Sequence, residues 1–66
     1  MNIVLNGETH ALPDHSRVTD LIAQLGLVGQ RLAIELNGDI APRSQHAELE
    51  LKEGDAVEIV RAIGGG

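Results

Sequence analysis

Ser16-Arg17-Val18-Thr19-Asp20-Leu21-Ile22-Ala23-Gln24-Leu25-Gly26 decides the fold of this chain, because here a helical period of apolar residues stands alone. Val18, Leu21, Ile22 and Leu25 fall at i, i+3, i+4 and i+7, the spacing that lines one helix face. Ser16 is the expected N-cap by residue type. Asp20 sits in the first turn, where the helix dipole favours negative charge, and Gly26 is placed to take the left-handed conformation just past the end. The spacing predicts one amphipathic helix of about two to three turns. A single stripe of that length can cover one face of one sheet, so the flanking segments must supply the sheet.

Upstream, Met1, Ile3 and Leu5 alternate with Asn2, Val4 and Asn6. Asn6-Gly7 then offers the residue pair best suited to a two-residue turn, and Glu8 to Leu12 returns, predicting a β-hairpin. Pro13-Asp14-His15-Ser16 breaks the pattern before the helix. Downstream, Leu32, Ile34 and Leu36 alternate with Ala33, Glu35 and Asn37 up to a second turn pair, Asn37-Gly38. Asp39-Ile40-Ala41 predicts a short edge piece ahead of Pro42, and the polar run Pro42 to Ala47 a loop or a single helical turn. Leu49 and Leu51 are expected to anchor a further short strand, and Glu53-Gly54-Asp55 a turn. Ala56 to Ile63, with Val57 and Ile59 flanking Glu58, reads as a last strand that runs into Gly64-Gly65-Gly66.

The predicted order is β-β-α-β-(short β)-β, an α+β domain in which one helix covers a mixed sheet of about four to five strands. The ubiquitin-like β-grasp is the arrangement that fits. On this reading residues 1–63 are expected to form this domain and residues 64–66 a flexible glycine tail. The helix stripe is expected to pack on Ile3, Leu5, Leu32, Ile34, Leu36, Val57 and Ile59, with the last strand in the sheet interior.

Composition removes whole classes of function. A chain of 66 residues buries only about 60% of the surface its unfolded form exposes, so a single small domain of modest stability is expected. There is no cysteine, which excludes disulfides, thiolate nucleophiles and cysteine-based metal sites. There is no aromatic residue, and 10 acidic residues face 5 basic ones, so nucleic acid is not an expected partner. The net charge of −5 suits a domain that meets a basic partner surface. No apolar run reaches membrane-spanning length and the N-terminus lacks a signal-peptide pattern, so no membrane association and a cytoplasmic location are expected.

Conventional catalytic patterns are missing as well. His10, His15 and His46 have no metal-ligand spacing, neither Ser16 nor Ser44 sits in a nucleophile motif, and Gly7, Gly38 and Gly54 are isolated turn glycines. No catalytic residue, metal or bound cofactor is expected. What remains is the glycine run. Without Cβ atoms such a tail can enter a channel closed to other residues, which makes the carboxylate of Gly66 the candidate reacting group.

Two stretches carry a family resemblance. Ala33-Ile34-Glu35-Leu36-Asn37-Gly38-Asp39-Ile40-Ala41-Pro42-Arg43-Ser44 and Glu53-Gly54-Asp55-Ala56-Val57-Glu58-Ile59-Val60-Arg61-Ala62-Ile63, followed by the glycines, resemble the ThiS sulfur carriers of thiamine thiazole synthesis, within the ThiS/MoaD ubiquitin-like family. The opening Asn-Gly hairpin, the Val-Thr-Asp-Leu-Ile helix start and the total length agree. In that family the loop after Pro-Arg-Ser commonly carries a tryptophan; here Gln45-His46 stands there, a departure expected to affect a surface or small satellite cluster.

The resemblance implies a carrier and not an enzyme. An E1-like adenylating enzyme of the ThiF type would use ATP to convert the Gly66 carboxylate to an acyl adenylate. A sulfur donor, such as a cysteine desulfurase acting through a persulfide, would then convert Gly66 to a 1-thioglycine thiocarboxylate. A thiazole synthase of the ThiG type would take up the sulfur. Gly64 and Gly65 would keep the tail narrow, and Val60, Ala62 and Ile63 would dock on partners, with Arg61 facing an acidic rim. Other readings stay open at this point. A molybdopterin synthase small subunit shares the diglycine end, although those proteins tend to be longer with a proline near the tail. A ubiquitin-like modifier would share the adenylate and differ in its acceptor, and a non-covalent β-grasp binding module would not need the tail.

Overall fold

In the computed structural model, which describes residues 1–62, the apolar stripe forms α1, Val18–Gln24. Its start departs from the sequence expectation. Arg17, in extended conformation, is the N-cap, while the Ser16 hydroxyl turns back and donates to the Pro13 carbonyl at 2.7 Å. The reason lies in who receives the free amides of the first turn. Val18 N–H donates to the Leu49 carbonyl (3.0 Å) and Thr19 N–H to the His46 carbonyl (3.2 Å), so a distant loop does the work that a serine oxygen would do. Asp20 closes the turn by accepting from the Arg17 amide at 2.8 Å. The C-terminal end follows expectation: Gly26 has φ +72°, its N–H reaches Ala23 and the Leu27 N–H reaches Ile22, the paired bonds of a Schellman stop.

Five strands form one sheet: β1 (Asn2–Leu5), β2 (Glu8–Ala11), β3 (Leu32–Leu36), β4 (Asp39–Ile40) and β5 (Ala56–Arg61). Their order is β2-β1-β5-β3-β4. β5 runs parallel to β1 and antiparallel to β3, so the sheet is mixed and its last strand central, the β-grasp arrangement. Both Asn-Gly turns have positive φ at both residues (49° and 83°; 52° and 87°), the twist that tight hairpins require. Pro42 precedes a 3₁₀ turn at Arg43–Gln45.

The short strand expected around Leu49 and Leu51 does not form. Its backbone pairs with residues at the start of α1 instead: Leu51 N–H donates to the Ser16 carbonyl at 2.8 Å, and Arg17 and Glu50 make only an isolated bridge. The period-two pattern of those leucines is real, since Leu51 is fully buried and Leu49 packs against the core. It reports an extended segment beneath the helix rather than a sheet member.

The core lies between α1 and the sheet, around Ile3, Val18, Leu21, Ile34, Leu51 and Val57. Burying each of the larger side chains contributes roughly 1.5–3 kcal/mol before chain entropy is subtracted. Leu12, Ala41 and Leu51 complete the core from outside the predicted set; Leu12 and Ala41 each lie just past a strand and face inward there.

Candidate functional site

The strand that leads into the tail is held along both of its edges. On the β1 side, the ladder to β5 ends at the Asn6 N–H bond to the Val57 carbonyl (2.9 Å), and the Asn6 side chain then takes the place of the next peptide. Its Oδ1 accepts from Ile59 N–H at 2.8 Å and its Nδ2 donates to the Ile59 carbonyl at 3.3 Å. On the β3 side, Asn37 holds the other end of the strand, its start: Oδ1 accepts from Ala56 N–H (2.9 Å) and Nδ2 donates to the Asp55 carboxylate (3.1 Å). Both turn asparagines therefore clamp the central strand. Beyond Arg61, the Ala62 amide donates to the Arg31 carbonyl at 2.9 Å, which fixes the direction in which the chain leaves.

Of the residues predicted to dock on partners, Val60, Arg61 and Ala62 are all exposed where β5 ends. Val60, 62% exposed, stands on the sheet face opposite α1. Arg61 points the other way, where Nη2 donates to Gln30 Oε1 at 2.9 Å. Ile63, Gly64, Gly65 and Gly66 lie outside the described residues.

The open sheet face carries more than Val60. Strand register puts Val4 beside Ala56, Ile40 beside Glu35, Glu35 beside Glu58, and Ala33 beside Val60, all on one surface. Val4 (40% exposed) and Ile40 (70%) join Val60 as its uncovered aliphatic side chains. Glu35 and Glu58 stand directly opposite each other, an arrangement in which like charges repel. The face is thus apolar and acidic. Hydropathy alternation predicted which residues point outward, but the opposition of two glutamates depends on register, which sequence reading did not assign.

The α1 side of the root is different. A groove of roughly 530 Å³ lies between α1, the loop after it and β3, with Ile22, Leu27 and Leu32 in its floor and Arg31, Arg43 and Ala62 at its edges. His46 lines it too; of the surface or small satellite cluster expected there, the surface alternative does not hold for this residue, which is buried, with its Nε2 2.8 Å from the Ala41 carbonyl as a ring N–H donor. His10 meets Gln24 and His15 meets Glu50 at 3.4 Å, so the three imidazoles stay apart. Among the described residues no group of three potential metal ligands exists.

At the opposite end of the molecule the N-terminal ammonium donates to the Leu12 carbonyl (2.7 Å) and to Asp14 Oδ1 (3.0 Å). The hydrogen bond from that ammonium, reinforced by its charge, holds the Asp14 carboxyl below its ordinary range. No helix among the described residues is long and apolar enough to cross a membrane.

Comparison with known proteins follows this geometry closely. Residues 3–66 match the model of the ThiS family. The sulfur carrier protein ThiS of Bacillus subtilis is 34% identical over 53 residues, 80% of each chain. The crystal structure of the thiamine biosynthesis protein ThiS from Geobacter metallireducens superposes with a TM-score of 0.85 at 32% identity, covering all of both chains. The thiazole synthase of Paramagnetospirillum magneticum is 38% identical over the whole of this chain, which spans only 20% of that protein's length.

Proposed function

This chain belongs to the ThiS family, and we propose that it is a sulfur carrier protein of thiamine biosynthesis, with Gly66 as the sulfur-bearing end. The observation that carries this reading is the combination of family membership over residues 3–66 with a central last strand clamped on both edges. A carrier must present a reactive terminus reproducibly while contributing no catalytic group of its own. The anchored strand meets the first requirement. From Ala62, four residues have a maximum reach of about 13 Å, enough to cross from a docking surface into a neighbouring active site.

The proposed reaction begins with a carboxylate, a poor electrophile. An adenylating enzyme transfers AMP from ATP to the Gly66 carboxylate and releases pyrophosphate, which creates a good leaving group. A sulfur nucleophile attacks the carbonyl carbon, the bond to AMP breaks, and Gly66 is left as a thiocarboxylate. A thiazole synthase then accepts the sulfur; the fifth of the Paramagnetospirillum magneticum thiazole synthase that resembles this chain supports that partner. The carrier supplies orientation, and the chemistry belongs to ATP and the partner enzymes.

The open sheet face gives the partners something to hold. Val4, Ile40 and Val60 offer apolar contact, and a cation placed between Glu35 and Glu58 would relieve their mutual repulsion. A basic partner rimmed around an apolar centre is the complementary surface.

Intact mass spectrometry tests the proposal directly. The chain is incubated with an adenylating enzyme, ATP and sulfide, and replacement of one oxygen by sulfur at Gly66 is expected. Gly66→Ala and deletion of Gly66 should abolish the change while leaving the fold intact by circular dichroism. Full sulfur transfer by either variant would remove Gly66 from its role, and conjugation of the wild-type chain to lysines would favour a modifier instead.

A further inference from the structure

The groove on the α1 side of the tail root gathers charge of one sign in a chain dominated by the other. Ten acidic residues outnumber five lysines and arginines overall, yet no acidic residue lines this groove. Arg31 and Arg43 line it, and Arg61 is tied to its rim through Gln30. Among the described residues, the ion pairs are those of the N-terminus with Asp14 and of His15 with Glu50, so none of these three arginines meets a carboxylate. Between the arginines the floor is aliphatic, and Val28 stands 72% exposed at the margin.

That pairing of features selects an occupant. An anion alone would leave Ile22, Leu27, Leu32 and Val28 unsatisfied, and an apolar side chain alone would leave the guanidinium groups unused. We propose that the groove docks a segment of a partner protein in which a bulky apolar side chain is flanked by aspartate or glutamate. The apolar side chain fills the floor and the carboxylates take bidentate hydrogen bonds from Arg31 and Arg43. Ala62 forms one wall, so the segment lies alongside the first residue of the tail. That the segment belongs to the enzyme receiving the tail rests on the carrier reading; the chemistry of the groove does not. The root of the tail would then be gripped from both sides, by a basic surface on the open sheet and an acidic segment in the groove.

The test is a titration of the isotopically labelled full chain with a capped peptide, acetyl-Asp-Glu-Phe-Glu-Asp-amide, followed by amide chemical shifts. Saturable shifts at Leu27, Val28, Arg31 and Ala62 are expected, weakening at high salt. Arg43→Gln, which keeps side-chain bulk and removes the charge, should weaken binding about tenfold, the equivalent of one charge-assisted contact. With the adenylating enzyme, the Arg31→Gln/Arg43→Gln pair should raise KM by tenfold or more and leave kcat unchanged. The absence of saturable shifts in the groove overturns the proposal. So do equal shifts from sodium phosphate at matched ionic strength, equal affinity for a peptide with serine in place of phenylalanine, or an unchanged KM in the double variant. Failure of the wild-type chain to be adenylated by any such enzyme would overturn the carrier reading, and the peptide titration would still decide the groove.

Discussion

Replacing Asn6 isolates the clamp on the central strand, because two substitutions separate its hydrogen bonds from its backbone conformation. Asn6 sits at φ +49° and its side chain binds both the N–H and the carbonyl of Ile59. Asn6→Gly keeps the left-handed conformation available and removes both bonds. Each such bond is worth about 1 kcal/mol net, and a partly buried N–H left without a partner costs about 1–3 kcal/mol, so a loss of about 1–3 kcal/mol is expected. Asn6→Ala adds the strain of a Cβ in the left-handed region, raising the loss to about 2–4 kcal/mol. Against a total stability of roughly 3–10 kcal/mol for a chain this small, either change should be plain in urea denaturation. Native-state hydrogen exchange supplies the second readout. The Ile59 amide should lose protection in Asn6→Gly more than its neighbours on the β3 edge, whose bonds are untouched. Asn6→Gly within about 0.5 kcal/mol of wild type, together with unchanged protection at Ile59, would show that the side chain merely fills a turn.

Other outcomes follow from single features. Asp14 has its carboxyl held below the ordinary value of 3.8 by the N-terminal ammonium, so its contribution to stability is present above that value and is lost as pH falls through the lowered one. The melting temperatures of wild type and Asp14→Asn should therefore differ near neutrality and converge in strong acid; a difference that persists unchanged there would assign it to another cause. Gly26 has φ +72°, and a Cβ placed on it would meet nothing within 4 Å, so Gly26→Ala should cost about 1 kcal/mol by backbone strain alone, and a loss several times larger in urea denaturation would reveal packing that the strain argument omits. Val60→Asp on the open sheet face should lower stability by only about 1 kcal/mol while raising the KM of the adenylating enzyme about tenfold, and an unchanged KM would place the docking surface elsewhere.

The fold was legible where one physical signal decided one element. The i, i+3, i+4, i+7 stripe and Gly26 set α1 and its stop, and the two Asn-Gly pairs set both hairpins, because a local φ preference and a local period are properties of neighbouring residues. Local pattern and structure part where a distant segment supplies the hydrogen bonds. Ser16 has the right chemistry for a cap, but the carbonyls of His46 and Leu49, about thirty residues away, received the first helical amides instead. The same contact explains the missing strand, since the Leu49 to Leu51 backbone is engaged by the start of α1. His46 carried no sequence signal for burial. At the candidate site, the glycine run and the outward residues of β5 could be read directly, whereas the Glu35–Glu58 opposition and the arginine-rimmed groove needed register and the return of Arg43 toward Arg31.

The turn asparagines show how one residue type can answer a local and a global demand together. Asn-Gly is favoured in these turns because asparagine tolerates the left-handed region, and aspartate would tolerate it nearly as well. A carboxylate, however, accepts only, so it could take the Ile59 or Ala56 N–H and would then face the Ile59 carbonyl or the Asp55 carboxylate with a second negative oxygen. The amide accepts and donates, which is what a missing strand neighbour would do. At Asn6 this extends the edge of β1 along β5 by one more pairing, so that support on that side continues to Ile59 and stops just before the exposed Val60 and Arg61. Beyond Ile59 the β3 side alone carries the strand, through Val60 and Arg61 to the Ala62 amide on the Arg31 carbonyl, so the β1-side edge of the last residues is left open to a partner.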